Sequence, residues 1–169
     1  MFYVFYSLFA ILELRLSGDF AGKRVLFVGY GEQAEMLNEK INDLDLSDCC
    51  YYLGPKTHRE LSELYNQADI MIFPTMLYES LGLVGIEAMA CGCPVIGSDI
   101  GCLPEYIKEG ITGFLFEPGN SHELAERIVD FYKLTEKQRN TMRLEAIRYV
   151  DKYESRKISQ ALINKIKEI

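Results

Sequence analysis

The feature that constrains this chain most is a regular alternation of short apolar runs and helical stripes, punctuated by glycine and proline. Arg24–Gly29 (RVLFVG) is an apolar run ending in Gly-Tyr-Gly, the pattern of a buried strand entering a tight turn. Ala34, Leu37, Ile41 and Leu44 follow at helical spacing. Cys50–Leu53 reads as a second strand, closed by Gly54-Pro55. Thr57 with Glu60 forms a capping-box signature ahead of Leu61, Leu64, Tyr65 and Ala68, so a helix starts there. Ile70–Phe73, Pro94–Gly97 and Gly113–Phe116 read as three further strands, and Leu83–Cys91 as a helix. Asn120 with Glu123 predicts a capped helix through about Tyr132, and Thr135 with Gln138 starts another. Ser155 is placed to cap a last helix, over 153–168, carrying Ile158, Leu162 and Ile166.

Strand–helix alternation with short turns predicts an α/β fold. We expect one Rossmann-like domain over 1–169: a doubly wound, mostly parallel sheet with helices on both faces. A chain of 169 residues buries roughly 70% of its extended surface, enough for a sizeable core. In such sheets ligands bind beyond the carboxyl ends of the strands. That rule points to Gly29–Gly31, Gly54–Lys56, Pro74–Leu83 and Ser98–Glu105.

Two motifs compete to explain the ligand. Gly29-Tyr-Gly-Glu-Gln-Ala34 matches G-x-G-x-x-A after a strand. The dinucleotide fingerprint also needs an acid closing the second strand, and Gly54-Pro55 stands there instead. The bland reading is that these glycines permit a sharp strand-to-helix turn. The second motif places Glu79 and Glu87 eight residues apart across a glycine-containing helix start. With a helix beginning near Leu83, Glu79 lies in the loop before it and Glu87 about one turn inside. The N–H groups of Leu81, Gly82 and Leu83 would then attract an anion such as a diphosphate. Glu87 could accept two hydrogen bonds from a ribose diol, and Glu79 could accept from sugar hydroxyls. A solvated helix residue and a helix-start carboxylate form the bland alternative. Against it, Leu83, Val84, Ile86, Ala88 and Met89 make the helix look buried, and an unpartnered carboxylate is costly there.

Composition narrows the partners. A net charge of −7 argues against a nucleic-acid footprint. Five cysteines with no CxxC pair, and two isolated histidines, predict reduced cytoplasmic thiols and no metal site. Met1–Leu12 (MFYVFYSLFAIL) is too short to span a bilayer and lacks a signal peptide's basic start. Phe2, Phe5, Phe9, Leu12 and Leu16 line one face of a helix over 1–17, which we read as the core face, with Gly18 as the stop. A membrane-surface helix is the alternative, though its polar face lacks Lys and Arg.

The segment PTMLYESLGLVGIEAMACGCPVIGSDIGCLPE resembles the signature of the retaining family-4 (group 1) glycosyltransferases of GT-B fold, with Glu79 and Glu87 as its E-x7-E pair. RVLFVGYGEQAEMLNEKI, YYLGPKTHRELSELYNQADIMIFPT, GITGFLFEPGNSHELAERI and YESRKISQALINKIKEI resemble the flanking stretches, so the likeness runs from about Leu8 to the end. The resemblance implies a C-terminal, donor-binding domain for a nucleotide-diphosphate sugar. Glu87 would hold the ribose hydroxyls and Glu79 the transferred sugar. Leu81, Gly82 and Leu83 would offer N–H groups to the diphosphate. Gly54, Pro55 and Lys56 would border the base, and Gly29 and Gly31 would let the donor approach the sheet. The implied reaction is glycosyl transfer with retention, in polysaccharide or glycoconjugate synthesis, with no obligatory metal or cofactor.

The resemblance also implies partners. GT-B enzymes close their site between two Rossmann-like domains, and 169 residues suffice for one. The acceptor-binding domain, its histidine, and an upstream strand carrying Arg and Lys for the leaving diphosphate are not matched here. The chain is therefore expected to be a fragment of a longer enzyme or one subunit of a split one, inactive alone. In the full enzyme it would work in the cytoplasm, at the inner face of the membrane. An aromatic patch at Phe2, Tyr3, Phe5 and Tyr6 would favour a homodimer. Cys102 stands where the family often has a second glycine after Gly101. The competing readings are a non-catalytic assembly subunit and a nucleotide-sugar 2-epimerase-like relative.

Overall fold

A computed structural model describes residues 5–153 of the chain. The expected helix over 153–168, and Phe2 and Tyr3 of the aromatic patch, lie outside the described residues. Helix α1 (Phe5–Ser17) leads into β1 (Val25–Phe27), α2 (Ala34–Asp43), β2 (Cys50–Tyr52), α3 (His58–Gln67) and β3 (Met71–Phe73). Then come α4 (Leu83–Ala90), β4 (Val95–Ser98), α5 (Leu103–Tyr106), β5 (Gly113–Phe116), α6 (Ser121–Lys133) and α7 (Glu136–Val150). Among the described residues no helix is long and apolar enough to cross a membrane.

Local chemistry sets the boundaries as the sequence predicts. Thr57 accepts from the Glu60 N–H while the Glu60 carboxylate accepts from the Thr57 N–H, closing the capping box of α3. Thr135 and Gln138 do the same for α7, and the Asn120 side chain caps α6 by accepting from the Glu123 N–H. Gly18 follows α1 at φ +86, a conformation glycine adopts without steric cost.

All strands pair in parallel, but in two sheets rather than the expected one. β1 pairs with β2, and β3–β4–β5 form the second sheet. β1 and β3 share no ladder. In β1 the Val25 N–H donates toward β2, and in β3 the Met71 N–H donates toward β4. Parallel pairing alternates direction along a strand, so the main-chain groups of Leu26 and Ile72 face away from those partners. Each sheet therefore presents an open edge.

Two apolar layers flank the second sheet. On one side Ile96, Phe114 and Phe116 pack with α1 and α6, through Leu8, Ile11, Leu124, Ile128 and Phe131. On the other, Val95 packs with Ile86, Met89, Leu103, Tyr106, Ala146 and Val150 of α4, α5 and α7. Each fully buried Leu, Ile or Phe contributes about 1.5–3 kcal/mol. Helices do not cover both faces of the first sheet to the same extent, because Leu26 and Tyr51 stay exposed opposite the α1 layer.

The core face of α1 is not the one expected. Ser7, Leu8, Ala10, Ile11 and Leu14 are buried, whereas Phe9 is 46% and Leu16 80% exposed. The helix is apolar on two faces, and the one that meets α6 wins. The thiols are free: Cys49, Cys50, Cys93 and Cys102 are buried and Cys91 half-buried.

Two predictions follow from this packing. Gly113 opens β5 directly beside Val95, where an added Cβ would lie 1.9 Å from the Val95 carbonyl oxygen. Gly113→Ala should cost about 3 kcal/mol in denaturant unfolding, because the obstructing atom is main chain. At the α1–α6 seam, His122 Nδ1 lies 2.5 Å from Glu13 Oε1, and that hydrogen bond raises the imidazole above its ordinary 6.5. A raised folded value gives stability that is present below the unfolded value and lost as pH rises through the folded one. The melting temperature should therefore fall slightly as pH rises above the ordinary histidine value, and this part of the slope should shrink in Glu13→Gln, with Glu126 3.7 Å from Nε2 keeping the remainder.

Candidate functional site

The Thr75–Gly82 loop carries the chain from the carboxyl end of β3 to the start of α4. Gly82 is the N-cap of α4 at φ +61, ψ +50, so only glycine sits there without strain. Its carbonyl accepts from the Gly85 N–H at 2.9 Å and starts the helix. Among the described residues, the N–H groups of Leu81, Gly82, Leu83 and Val84 donate to no other group. They are the unpaired donors of a helix start, held where Leu81 and Leu83 remain exposed.

Glu79 stands in the loop and Glu87 one turn inside α4, as the spacing predicts. The Glu79 main chain is clasped from behind. Its carbonyl accepts from the Cys102 N–H at 3.0 Å, and a Cβ on Gly101 would lie 2.5 Å from that oxygen. Gly101 carries the positive φ of this loop, +62, while Cys102 has φ −83. A side chain at position 102 is therefore unstrained. The Glu87 side chain is 38% exposed and reaches toward α3, with Oε1 3.9 Å from His58 Nδ1. Its charge adds to burial in pushing the Tyr65 hydroxyl up to about 12. Glu87 is thus half-solvated, less buried than the apolar sequence around it suggested.

The first sheet supplies the glycine turns. Gly29 donates to the Gly54 carbonyl at 3.1 Å, joining the loops after β1 and β2, and the Tyr52 hydroxyl donates to the Gly29 carbonyl at 2.9 Å. Gly31 and Pro55 are exposed and Lys56 half-buried. So the structure brings Gly29 and Gly54 together at one sheet end, and Glu79, Gly82 and the α4 start at the end of the other.

Among the described residues the site is an exposed ledge, with Leu81 and Leu83 open to solvent. Tyr30 and Tyr78 beside it are 90% and 84% exposed. Two open grooves of about 380 and 400 Å3 lie elsewhere, between α1 and α6 and near Arg15, Lys23 and Arg24 ahead of β1. One layer of strand ends offers one wall. Among the described residues no three His, Cys, Asp or Glu side chains gather as a metal-ligand set.

Sequence reading missed the posts that hold this ledge, above all Tyr106 and the short helix α5 that carries it. Pro104, in the first turn of α5, was the available signal.

Parallel strands, helices packed on them and an unpaired helix start at the strand ends define a Rossmann-like α/β domain. The match to known proteins is more specific: residues 7–148 fit the family model described as glycosyl transferases group 1, and the chain belongs to that family. It is similar to N-acetyl-alpha-D-glucosaminyl L-malate synthase of Bacillus anthracis, 35% identical over 117 residues, which are 69% of this chain and 30% of that protein. It is also similar to D-inositol 3-phosphate glycosyltransferase of Mycobacteroides abscessus, 34% identical over 122 residues, 69% of this chain and 27% of that one. The chain thus spans less than a third of the length of these relatives. Anabaena HepE, solved in complex with UDP-glucose, superposes with a TM-score of 0.75 at 26% identity, over 86% of this chain and 41% of that one. The fold is that of a GT-B glycosyltransferase domain.

Gly101→Ala tests the clasp on Glu79. It should shift the amide resonances of Glu79 through Gly82 and lower stability by about 2 kcal/mol, since both the positive φ and the contact with main chain resist a methyl group.

Proposed function

We propose that this chain is the donor-binding half of a retaining glycosyltransferase, taking a nucleotide-diphosphate sugar and serving polysaccharide or glycoconjugate synthesis. The observation that carries the reading is the unpaired α4 start, with Glu79 before it and Glu87 one turn in. Four N–H groups that donate to no other group among the described residues suit a diphosphate, whose charge the helix end favours. Glu87, half-exposed, can accept both hydroxyls of a ribose. Glu79 can accept from the sugar. The linked Gly29 and Gly54 turns, with Gly31, Pro55 and Lys56, would border the base. The complex of Anabaena HepE with UDP-glucose makes UDP-glucose the first donor to try.

In the reaction, the bond from the anomeric carbon to the diphosphate oxygen breaks, one to the acceptor oxygen forms on the same face, and the acceptor hydroxyl's proton leaves with the departing diphosphate. The α4 N–H groups would stabilise charge developing on the departing diphosphate, which is the largest contribution such a site makes. The ledge lacks an opposite wall, so the acceptor and further cations would come from a second domain or subunit. Alone, the chain should bind donor and transfer poorly.

Calorimetry with UDP and UDP-glucose tests the site. If Glu87 makes charge-assisted hydrogen bonds worth roughly 1.5–3 kcal/mol, Glu87→Ala weakens binding about 10- to 150-fold. A change under about threefold would remove Glu87 from the site. Binding of neither compound by the unaltered chain would favour an assembly role.

A further inference from the structure

The first turn of α4 rests on a phenol. Tyr106, the last residue of α5, is fully buried, and its hydroxyl donates to the Gly82 carbonyl at 3.2 Å. That carbonyl also accepts from the Gly85 N–H at 2.9 Å and the Ile86 N–H at 3.5 Å, so the phenol joins the bonds that start the helix. The fit is close on two sides. A Cβ on Gly82 would lie 2.7 Å from the Tyr106 oxygen, and one on Gly85 would lie 2.6 Å from it. Both glycines in the opening turn of α4 therefore make room for this one atom.

Tyr106 is itself anchored from the far side. The Thr112 hydroxyl, fully buried, donates to the Tyr106 carbonyl at 2.9 Å and accepts from the Lys108 N–H at 2.8 Å. Thr112 immediately precedes β5. A connected set of contacts thus runs from the start of β5 through Thr112 and Tyr106 to the N-cap of α4. Burial, with the nearby Cys102 and Glu79 adding to it, pushes the phenol well above its ordinary range, so it keeps the proton it donates.

We propose that Tyr106 is a positioning residue for the diphosphate: its hydroxyl fixes the height and tilt of the α4 start, and so the aim of the N–H groups from Leu81 to Val84. This rests on the donor-site reading above. It goes beyond it by assigning the aim of the anion-binding turn to a side chain that touches no ligand.

Tyr106→Phe keeps the ring and removes only the oxygen, so the core should stay filled. UDP and uridine are the probes, because they differ only in the diphosphate. In Tyr106→Phe, UDP affinity should fall about three- to tenfold while uridine affinity stays within about twofold. Amide resonances should move at Leu81 to Val84 and not along β1 or β2. Equal weakening of both probes would mean general loosening and would overturn the proposal. Unchanged UDP affinity would overturn it as well. If the unaltered chain binds no UDP, the donor-site reading fails instead, and the resonances still decide the structural part. Shifts confined to the α4 start would sustain it, and an unmoved turn would refute it. Should Tyr106→Phe fail to fold, Thr112→Val applies the same two probes one contact further back, with the same selective loss of UDP expected.

Discussion

A helix cannot satisfy the N–H groups of its own first turn, and this chain leaves those of α4 open at the end of a strand. Much of the surrounding structure is arranged to hold that opening still. Gly82 supplies the left-handed N-cap, Gly101 and Cys102 brace the loop at Glu79, and Tyr106 stands beneath the turn. Behind them α7 packs on α4 through one apolar layer, so the helix has a fixed bed. A set of donors held in place is worth more to an anion than a flexible one, because no ordering cost falls due on binding.

The two-sheet arrangement explains why the site is a ledge. Turns carrying Gly29, Gly54 and Gly101 follow β1, β2 and β4, and β1 and β3 share no ladder. The helix layer of α1 and α6 spans both sheets and keeps them in one core. The chain matches less than a third of the length of these two relatives.

Much of this was legible in the sequence because it depends on local chemistry. Capping boxes at Thr57 and Thr135 fix helix starts through side chains three residues apart, and apolar runs ending in glycine or proline fix strands. The apolar pattern after Gly82 put the helix start near Leu83, where α4 begins. What was not legible depends on choices between equals. Helix α1 offers Phe9, Leu12 and Leu16 on one face and Leu8, Ile11 and Leu14 on another, and periodicity cannot choose between two apolar stripes. The partner α6 makes the choice. The role of Tyr106 depends on meeting Gly82, twenty-four residues away, which no spacing rule reports. Nor does a strand's own sequence say whether its second edge will be paired.

The buried cysteines have a practical consequence. Burial pushes the thiols of Cys50 and Cys93 up to about 12, which disfavours the reactive thiolate in the folded chain. Alkylating reagents attack only that form. In the native chain these sulfurs are buried and their thiolates disfavoured, and opening the core returns them to ordinary reactivity. The protein thus contains its own clock for unfolding: the rate at which Cys50 and Cys93 are modified, followed apart from the half-buried Cys91, counts excursions out of the folded state.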